Sequence, residues 1–244
     1  MHFKLKDIYY KYRSGTYFCL KNISLDFNSG GIIGLAGANG SGKTTLIRII
    51  LRQLVDYSGS YTIDSREEDD ISANFCSQYR IGYAPDNPIL DDTLTGYEIL
   101  RIICDLRSIK NEQFEHEIKL FCDCLQVDEW MRVQSCKEYS NGMRKKISIM
   151  CACIGDCRFI ILDEPLNGLD PIAIIGIQRL IAYKKKNGTG TLISSHILNF
   201  IEKNADTVAL MKKGKILFFG PLLNLQNRHN HASLEDIYMR LFKM

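Results

Sequence analysis

Residues Gly37-Ala38-Asn39-Gly40-Ser41-Gly42-Lys43-Thr44 match the pattern G-x-x-x-x-G-K-[ST]. An apolar run, Ile32-Ile33-Gly34-Leu35-Ala36, precedes them, and Thr44 to Leu54 has helical character. A strand, a glycine-rich loop and a helix in that order make a phosphate cradle. Glycines let the backbone wrap closely, so successive N–H groups point at one anion. The helix adds its positive N-terminal end. Lys43 is placed to reach β- and γ-phosphates, and the Thr44 hydroxyl to hold Mg²⁺. The bland alternative is a glycine-rich strand-to-helix turn without a ligand; the flanking strand and helix argue against it.

The remaining segments set the fold around this loop. Phe3 to Tyr10 and Cys19 to Phe27 read as strands, followed by Gly59 to Asp64 and Arg80 to Ala84. The acidic run Glu67-Glu68-Asp69-Asp70 reads as a solvated loop. Thr95 to Leu106 places Ile99, Leu100, Ile103 and Leu106 on one helical face, and Phe114 to Leu125 repeats that spacing. Asn141 to Ile154 is a third helix, and the block from about Asp86 to Asp156 reads as a helical insertion. Strands then return at Phe159 to Leu162 and Thr191 to Ser194, with helices at Ile172 to Lys186 and Ile197 to Asn204. Val208 to Met211 and Ile216 to Phe219 form a hairpin around Lys213-Gly214. Ser233 to Phe242 has helical spacing and packs on the body. Alternation of strand and helix predicts a parallel α/β sheet.

Phe159-Ile160-Ile161-Leu162-Asp163-Glu164 is a buried strand that ends in two carboxylates. Strand ends are where open α/β sheets bind ligands. Asp163 is placed to hold Mg²⁺ through water, and Glu164 to polarise an attacking water. Two acids capping the following helix is the competing reading.

Composition excludes several classes. The chain has 244 residues, 45% hydrophobic and 24% charged, the balance of a globular protein. A net charge of +3 is too small to imply nucleic acid as a partner. No stretch approaches the roughly 20 apolar residues that a membrane span needs. The first residues lack the apolar core of a signal peptide. Nine cysteines without repeated spacing read as reduced thiols. The basic runs Arg144-Lys145-Lys146 and Lys184-Lys185-Lys186 read as solvated helix faces.

Taken together, the motifs resemble the ATP-binding cassette (ABC) ATPases, from about Leu5 to Leu223. Tyr139-Ser140-Asn141-Gly142-Met143 resembles the family signature Leu-Ser-Gly-Gly-Gln; it departs at three of five positions but keeps the Ser and the second Gly. Its tyrosine and methionine are similar to the subset serving ABC-2 type exporters, as is Leu94-Thr95-Gly96-Tyr97-Glu98. Asp170 in Gly168-Leu169-Asp170-Pro171 resembles the family's D-loop, and His196 in Ile193-Ser194-Ser195-His196 its switch histidine. Tyr12 resembles the aromatic that stacks on adenine, although Tyr9, Tyr10, Tyr17 and Phe18 lie close by. Ile81-Gly82-Tyr83-Ala84-Pro85 is followed by Asp86 where the family usually has Gln; an acid there is similar to many ABC-2 type members. An aspartate accepts from a metal-bound water but donates no N–H.

The resemblance implies a phosphate-loop ATPase core with a parallel sheet, an N-terminal antiparallel β subdomain and an inserted α-helical subdomain. It implies one nucleotide-binding domain over residues 1–223, with the helical subdomain at about 86–156, and a helical tail over 224–244. ATP and Mg²⁺ are the implied cofactors. Gly37, Asn39, Gly40, Ser41, Gly42, Lys43, Thr44, Thr45 and Tyr12 bind the nucleotide. Thr44, Asp163 and, through water, Asp86 serve the metal. Glu164, His196 and Lys43 carry hydrolysis. Ser140 and Gly142 reach the ATP of a second copy, so the resemblance implies a head-to-tail homodimer around two ATP. It further implies a separate multi-span permease and a peripheral place on the cytoplasmic face of the membrane. Asn87 to Tyr97 would line a cleft for that partner; core packing of Ile89, Leu90 and Leu94 is the other reading. The alternative to an exporter subunit is a soluble ABC ATPase acting as an assembly factor or scaffold.

Overall fold

The computed structural model describes residues 1–13, 15–67, 75–127 and 129–243. In chain order the elements are β1 (His2–Tyr10), β2 (Leu20–Asn28), β3 (Ile32–Gly37), α1 (Lys43–Ile50), β4 (Ser58–Ile63), β5 (Arg66–Glu67), α2 (Phe75–Gln78) and β6 (Ile81–Ala84). Next come α3 (Gly96–Leu106), α4 (Asn111–Leu125), α5 (Trp130–Val133), a 3₁₀ turn (Cys136–Glu138), α6 (Asn141–Cys153), β7 (Phe159–Asp163) and α7 (Pro171–Lys186). The chain ends with β8 (Gly190–Ser195), α8 (Leu198–Asn204), β9 (Thr207–Lys212), β10 (Lys215–Pro221), α9 (Leu222–Arg228) and α10 (Leu234–Lys243). Two compact units result: Met1–Cys76 with Gly190–Met244, and Ser77–Thr189.

In the first unit, β2, β1, β4 and β5 lie side by side in that order as an antiparallel sheet. Alternation buries Phe3 and Leu5 of β1 against Leu25 and Phe27 of β2. The alternation slips at Asp7, whose φ of +53° marks a bulge, so Ile8 returns to the buried face. The parallel part is centred on β3, whose six residues are all buried, as expected for a strand covered on both faces. β8 and β9 flank β3 in parallel, and β10 runs antiparallel to β9. The hairpin between β9 and β10 turns at Lys213 and Gly214, with φ of +47° and +78°.

In the second unit, β6 and β7 pair in parallel, and β7 is buried throughout. Helices α3 to α6 occupy the chain between them. α4 packs on α7 and α3 on α6. Lys184 of α7 meets Glu117 of α4 at 3.2 Å, both nearly fully buried. Glu117 also accepts from the N–H of Gly155 at 2.6 Å, just beyond α6.

The architecture is the mixed α/β fold expected, with its antiparallel N-terminal sheet and its parallel strands. Two local expectations change. α1 stops at Ile50 rather than Leu54, because Leu51 ends the helix and Arg52 turns left-handed at φ +57°. The short helices α2, α5 and α9 carry no periodic signal long enough to see. Residues 68–70 of the acidic run lie outside the described residues. None of the nine cysteines forms a disulfide, and burial pushes the Cys153 thiol up to about 12, which keeps it protonated.

Candidate functional site

Strand β3 ends on Gly37 and α1 begins on Lys43, so the loop between them leaves from the C-terminal end of a parallel strand. Gly42 caps α1 with φ +108°, a conformation that only glycine adopts without strain. Gly42 makes no side-chain cap at the start of α1, where the first backbone N–H groups point out of the helix end. Ser41, Lys43 and Thr45 are buried, Thr44 is half-buried, and Asn39 and Gly40 are exposed. The Lys43 ammonium donates to the carbonyls of Gly37 at 2.7 Å and Ala38 at 3.3 Å, which holds the cation at the loop.

Tyr12 reaches this loop through its phenol, 3.1 Å from the Thr45 hydroxyl, which is also 3.2 Å from Cys19 Sγ. A cleft of about 560 Å³ opens there, lined by Tyr12, Tyr17, Phe18, Cys19, Gly40 and Gly214. Tyr17 is 79% exposed and Phe18 48%, so three aromatics are available to a flat ring in this cleft. His196 is exposed immediately beyond β8. The parallel register pairs Ala36 with Ser195, so the next residues, Gly37 and His196, leave their strands at the same end.

In the second unit, Asp163 is fully buried at the end of β7, and Glu164 follows, also buried. Glu164 has φ +47°, a left-handed backbone that costs a non-glycine residue about 1–2 kcal/mol. Ala84 pairs with Leu162, so Asp86 and Glu164 leave β6 and β7 side by side. Asp86 Oδ1 accepts from Lys145 Nζ at 3.2 Å and from Asn167 Nδ2 at 3.1 Å. A polar cleft of about 360 Å³ beside them is lined by Asp86, Asn141, Arg144, Lys145, Asn167 and Gly168. The reading of Arg144-Lys145-Lys146 as a solvated face fails at its centre, since Lys145 is buried.

The signature segment forms the start of α6. Ser140 is its N-cap, exposed, and its Oγ accepts from the Met143 N–H at 3.2 Å. Gly142 sits in the first turn, half-buried. Tyr139 points inward: its phenol accepts from the Gly96 N–H at 2.9 Å and donates to the Gln134 carbonyl at 3.3 Å. Asp170 caps α7 by accepting from the Ala173 N–H at 2.8 Å. That bond, with help from Lys146 at 3.6 Å, holds its carboxyl below the usual range.

A second groove of about 360 Å³ in this unit is apolar, lined by Pro88, Ile89, Leu90, Leu94, Ile102 and Cys151. Ile89 is 96% exposed, so the segment lines an open groove and is not core.

Four residues escaped the sequence reading: Lys145, Asn167, Lys184 and Tyr238. Two carried a signal. Lys145 lies three and four residues before Ser148 and Ile149, on the buried stripe of α6. Lys184 lies three and four residues after Ile181 and Leu180, on the buried stripe of α7. Asn167 and Tyr238 carried none, because their contacts are distant in sequence.

Comparison with known proteins places this geometry. A profile of the ABC transporter family matches residues 20–167. The ABC-type transporter ATP-binding protein EcsA of Bacillus subtilis (strain 168) is 30% identical over 226 residues, spanning 92% of this chain and 90% of that protein. The lipopolysaccharide export system ATP-binding protein LptB of Escherichia coli (strain K12) is 30% identical over 215 residues, spanning 86% and 88%. A solved structure of an ATP-binding subunit of an ABC transporter matches with a TM-score of 0.87 at 25% identity, covering 99% of this chain and all of that one. With a phosphate loop, a buried acid pair after a strand and a serine-capped signature helix, the chain belongs to the ABC transporter family as an ATP-binding ATPase cassette.

Proposed function

We propose that this ATPase drives a separate membrane permease of the ABC-2 exporter type, as a homodimer closing around two ATP molecules. The observation that carries the permease is the open apolar groove at Pro88 to Leu94, with Ile89 96% exposed. No helix among the described residues is long and apolar enough to cross a membrane, and this reading assigns the span to a separate chain. The groove suits an apolar helix of that partner. Tyr139 and Met143 in the signature support the ABC-2 subset. The export system to which LptB belongs supports the direction.

In this reading ATP lies on the phosphate loop, with its base against Tyr12. Gly37, Asn39, Gly40, Ser41, Gly42, Lys43, Thr44 and Thr45 surround the phosphates, and Lys43 neutralises the β- and γ-oxygens. Thr44 and Asp163 would hold Mg²⁺, which when bound offsets the phosphate charge. These hard oxygen donors fit that ion, which keeps water and phosphate among its ligands. Asp86 would serve that ion through a water. Glu164 takes a proton from the attacking water, and His196 contacts the γ-phosphate. Ser140 and Gly142 serve the ATP of the second copy. The γ-phosphate then gains its last contacts only in the closed dimer, and hydrolysis removes them. The protein sits on the cytoplasmic face of the membrane.

The test uses tagged Glu164→Gln with Mg-ATP, purified from gently solubilised native membranes. A nucleotide-bound dimer with a multi-span chain near one to one supports the reading. A monomer with Mg-ATP overturns the dimer. A reproducible soluble partner, or none, replaces the exporter subunit with an assembly factor or scaffold.

A further inference from the structure

We propose that Lys145 is a positioning residue for hydrolysis: it fixes the left-handed peptide of Glu164 and takes its charge balance from Asp86. The proposal rests on Glu164 being the carboxylate that activates water, and it adds the residue that aims it.

Lys145 is 3% exposed, on the inward face of α6, five residues beyond Ser140. Its ammonium donates to the Asp86 carbonyl, to Asp86 Oδ1 at 3.2 Å, to the Pro85 carbonyl at 3.5 Å and to the Glu164 carbonyl at 3.3 Å. The first three acceptors belong to the segment that leaves β6, and the fourth to the segment that leaves β7. The ammonium therefore cross-links two chain exits that the parallel register already sets side by side. It does so at the Glu164 peptide, whose φ of +47° needs outside support. A carbonyl held in place fixes the plane of its peptide, and with it the direction of the Glu164 side chain. Lys145 itself touches no reacting atom in this scheme.

The choice of residue types follows from hydrogen-bond capacity. Every group around the Nζ is an acceptor, and an ammonium offers three donors and no acceptor. A buried cation requires a nearby anion. Asp86 supplies it and is steadied in turn by Asn167 Nδ2. A glutamine at position 86, the residue the family usually carries there, would leave Lys145 buried and unbalanced. The departure at Asp86 and the lysine at 145 are therefore one paired feature.

The test measures steady-state ATP hydrolysis of the full chain, with binding of a fluorescent trinitrophenyl-ATP read separately. Lys145→Met should lower kcat at least tenfold, while KM and the probe's Kd stay within twofold. Asp86→Gln should lower kcat to a similar degree. Adding Lys145→Gln to Asp86→Gln should recover at least fivefold, since the charge is then balanced. Loss of a metal–water contact at Asp86 alone predicts no such rescue. Should Lys145→Met fail to fold, the neutral double variant still decides the matter. A wild-type kcat in Lys145→Met, or losses that multiply in the double variant, would overturn the proposal. Glu164→Gln runs alongside. Full hydrolysis in that variant sinks the role of Glu164 itself, whereas a dead Glu164→Gln beside an unaffected Lys145→Met sinks only the positioning role.

Discussion

The phenol of Tyr238 accepts a hydrogen bond from the backbone N–H of Ala38 at 3.0 Å, across 200 residues of chain. The same oxygen lies 3.4 Å from the Met211 carbonyl. The C-terminal helix α10 thus ends on the phosphate loop, anchored beside it by the fully buried Leu234 and Ile237. Burial raises the Tyr238 pKa, which keeps the phenol neutral and able to both accept and donate. Replacing it with Phe keeps the packing and removes one acceptor. A single hydrogen bond is worth about 0.5–1.5 kcal/mol net, so Tyr238→Phe should raise KM for ATP roughly two- to tenfold with kcat little changed. Steady-state kinetics decide the point; an unchanged KM means that the helix packs beside the loop without supporting it.

The tyrosine of the signature segment has a structural role that explains its partner Gly96. Gly96 opens α3, between the two residues of its capping box, Thr95 and Glu98. A Cβ there would come within 2.7 Å of Ile147 Cδ1 and 3.0 Å of both Met131 Cγ and Tyr139 Oη. Gly96→Ala should therefore destabilise by about 1–3 kcal/mol through overpacking, despite alanine's better helix propensity. Tyr139→Phe should cost about 1–3 kcal/mol, because the buried Gly96 N–H loses its acceptor. Urea denaturation of the single and double variants should show the two effects to be non-additive. Additive costs would mean that the two positions act apart.

The ion pair between Glu117 and Lys184 makes a different kind of claim. Both groups are buried, and Glu117 also holds the Gly155 N–H while Lys184 donates to the Gly155 carbonyl at 3.3 Å. Removing one partner leaves an uncompensated buried charge, so Lys184→Met should cost about 3–5 kcal/mol. Adding Glu117→Gln should recover part of that loss, since a neutral amide still accepts from Gly155. Denaturant midpoints measure both. Equal stability of wild type and Lys184→Met would show the pair to be hydrated and weak.

The phosphate loop, the two acids after β7 and the serine cap of α6 were legible because each is local. A glycine-rich turn between strand and helix needs no distant partner to be recognised, and neither does an apolar strand ending in carboxylates. Asp86 was legible as a departure but not in its consequence, because its partner Lys145 lies 59 residues away. The lysine runs misled for a related reason. A charged triplet reads as solvated on desolvation cost alone, yet a neighbouring anion offsets that cost at both lysines, the half-buried Asp86 at Lys145 and the buried Glu117 at Lys184.

By itself, the sequence determined the local frame of the candidate site: which glycine-rich loop joins a strand to a helix, which carboxylates end a strand and which serine caps a helix. Those follow from backbone conformation and hydrophobic period over a few residues. Only the tertiary structure decided which charges are buried, which ammonium meets the Glu164 carbonyl and that α10 reaches the phosphate loop. Such pairings depend on which segments come within hydrogen-bond distance after packing, and burial then sets how strongly each charge needs its partner.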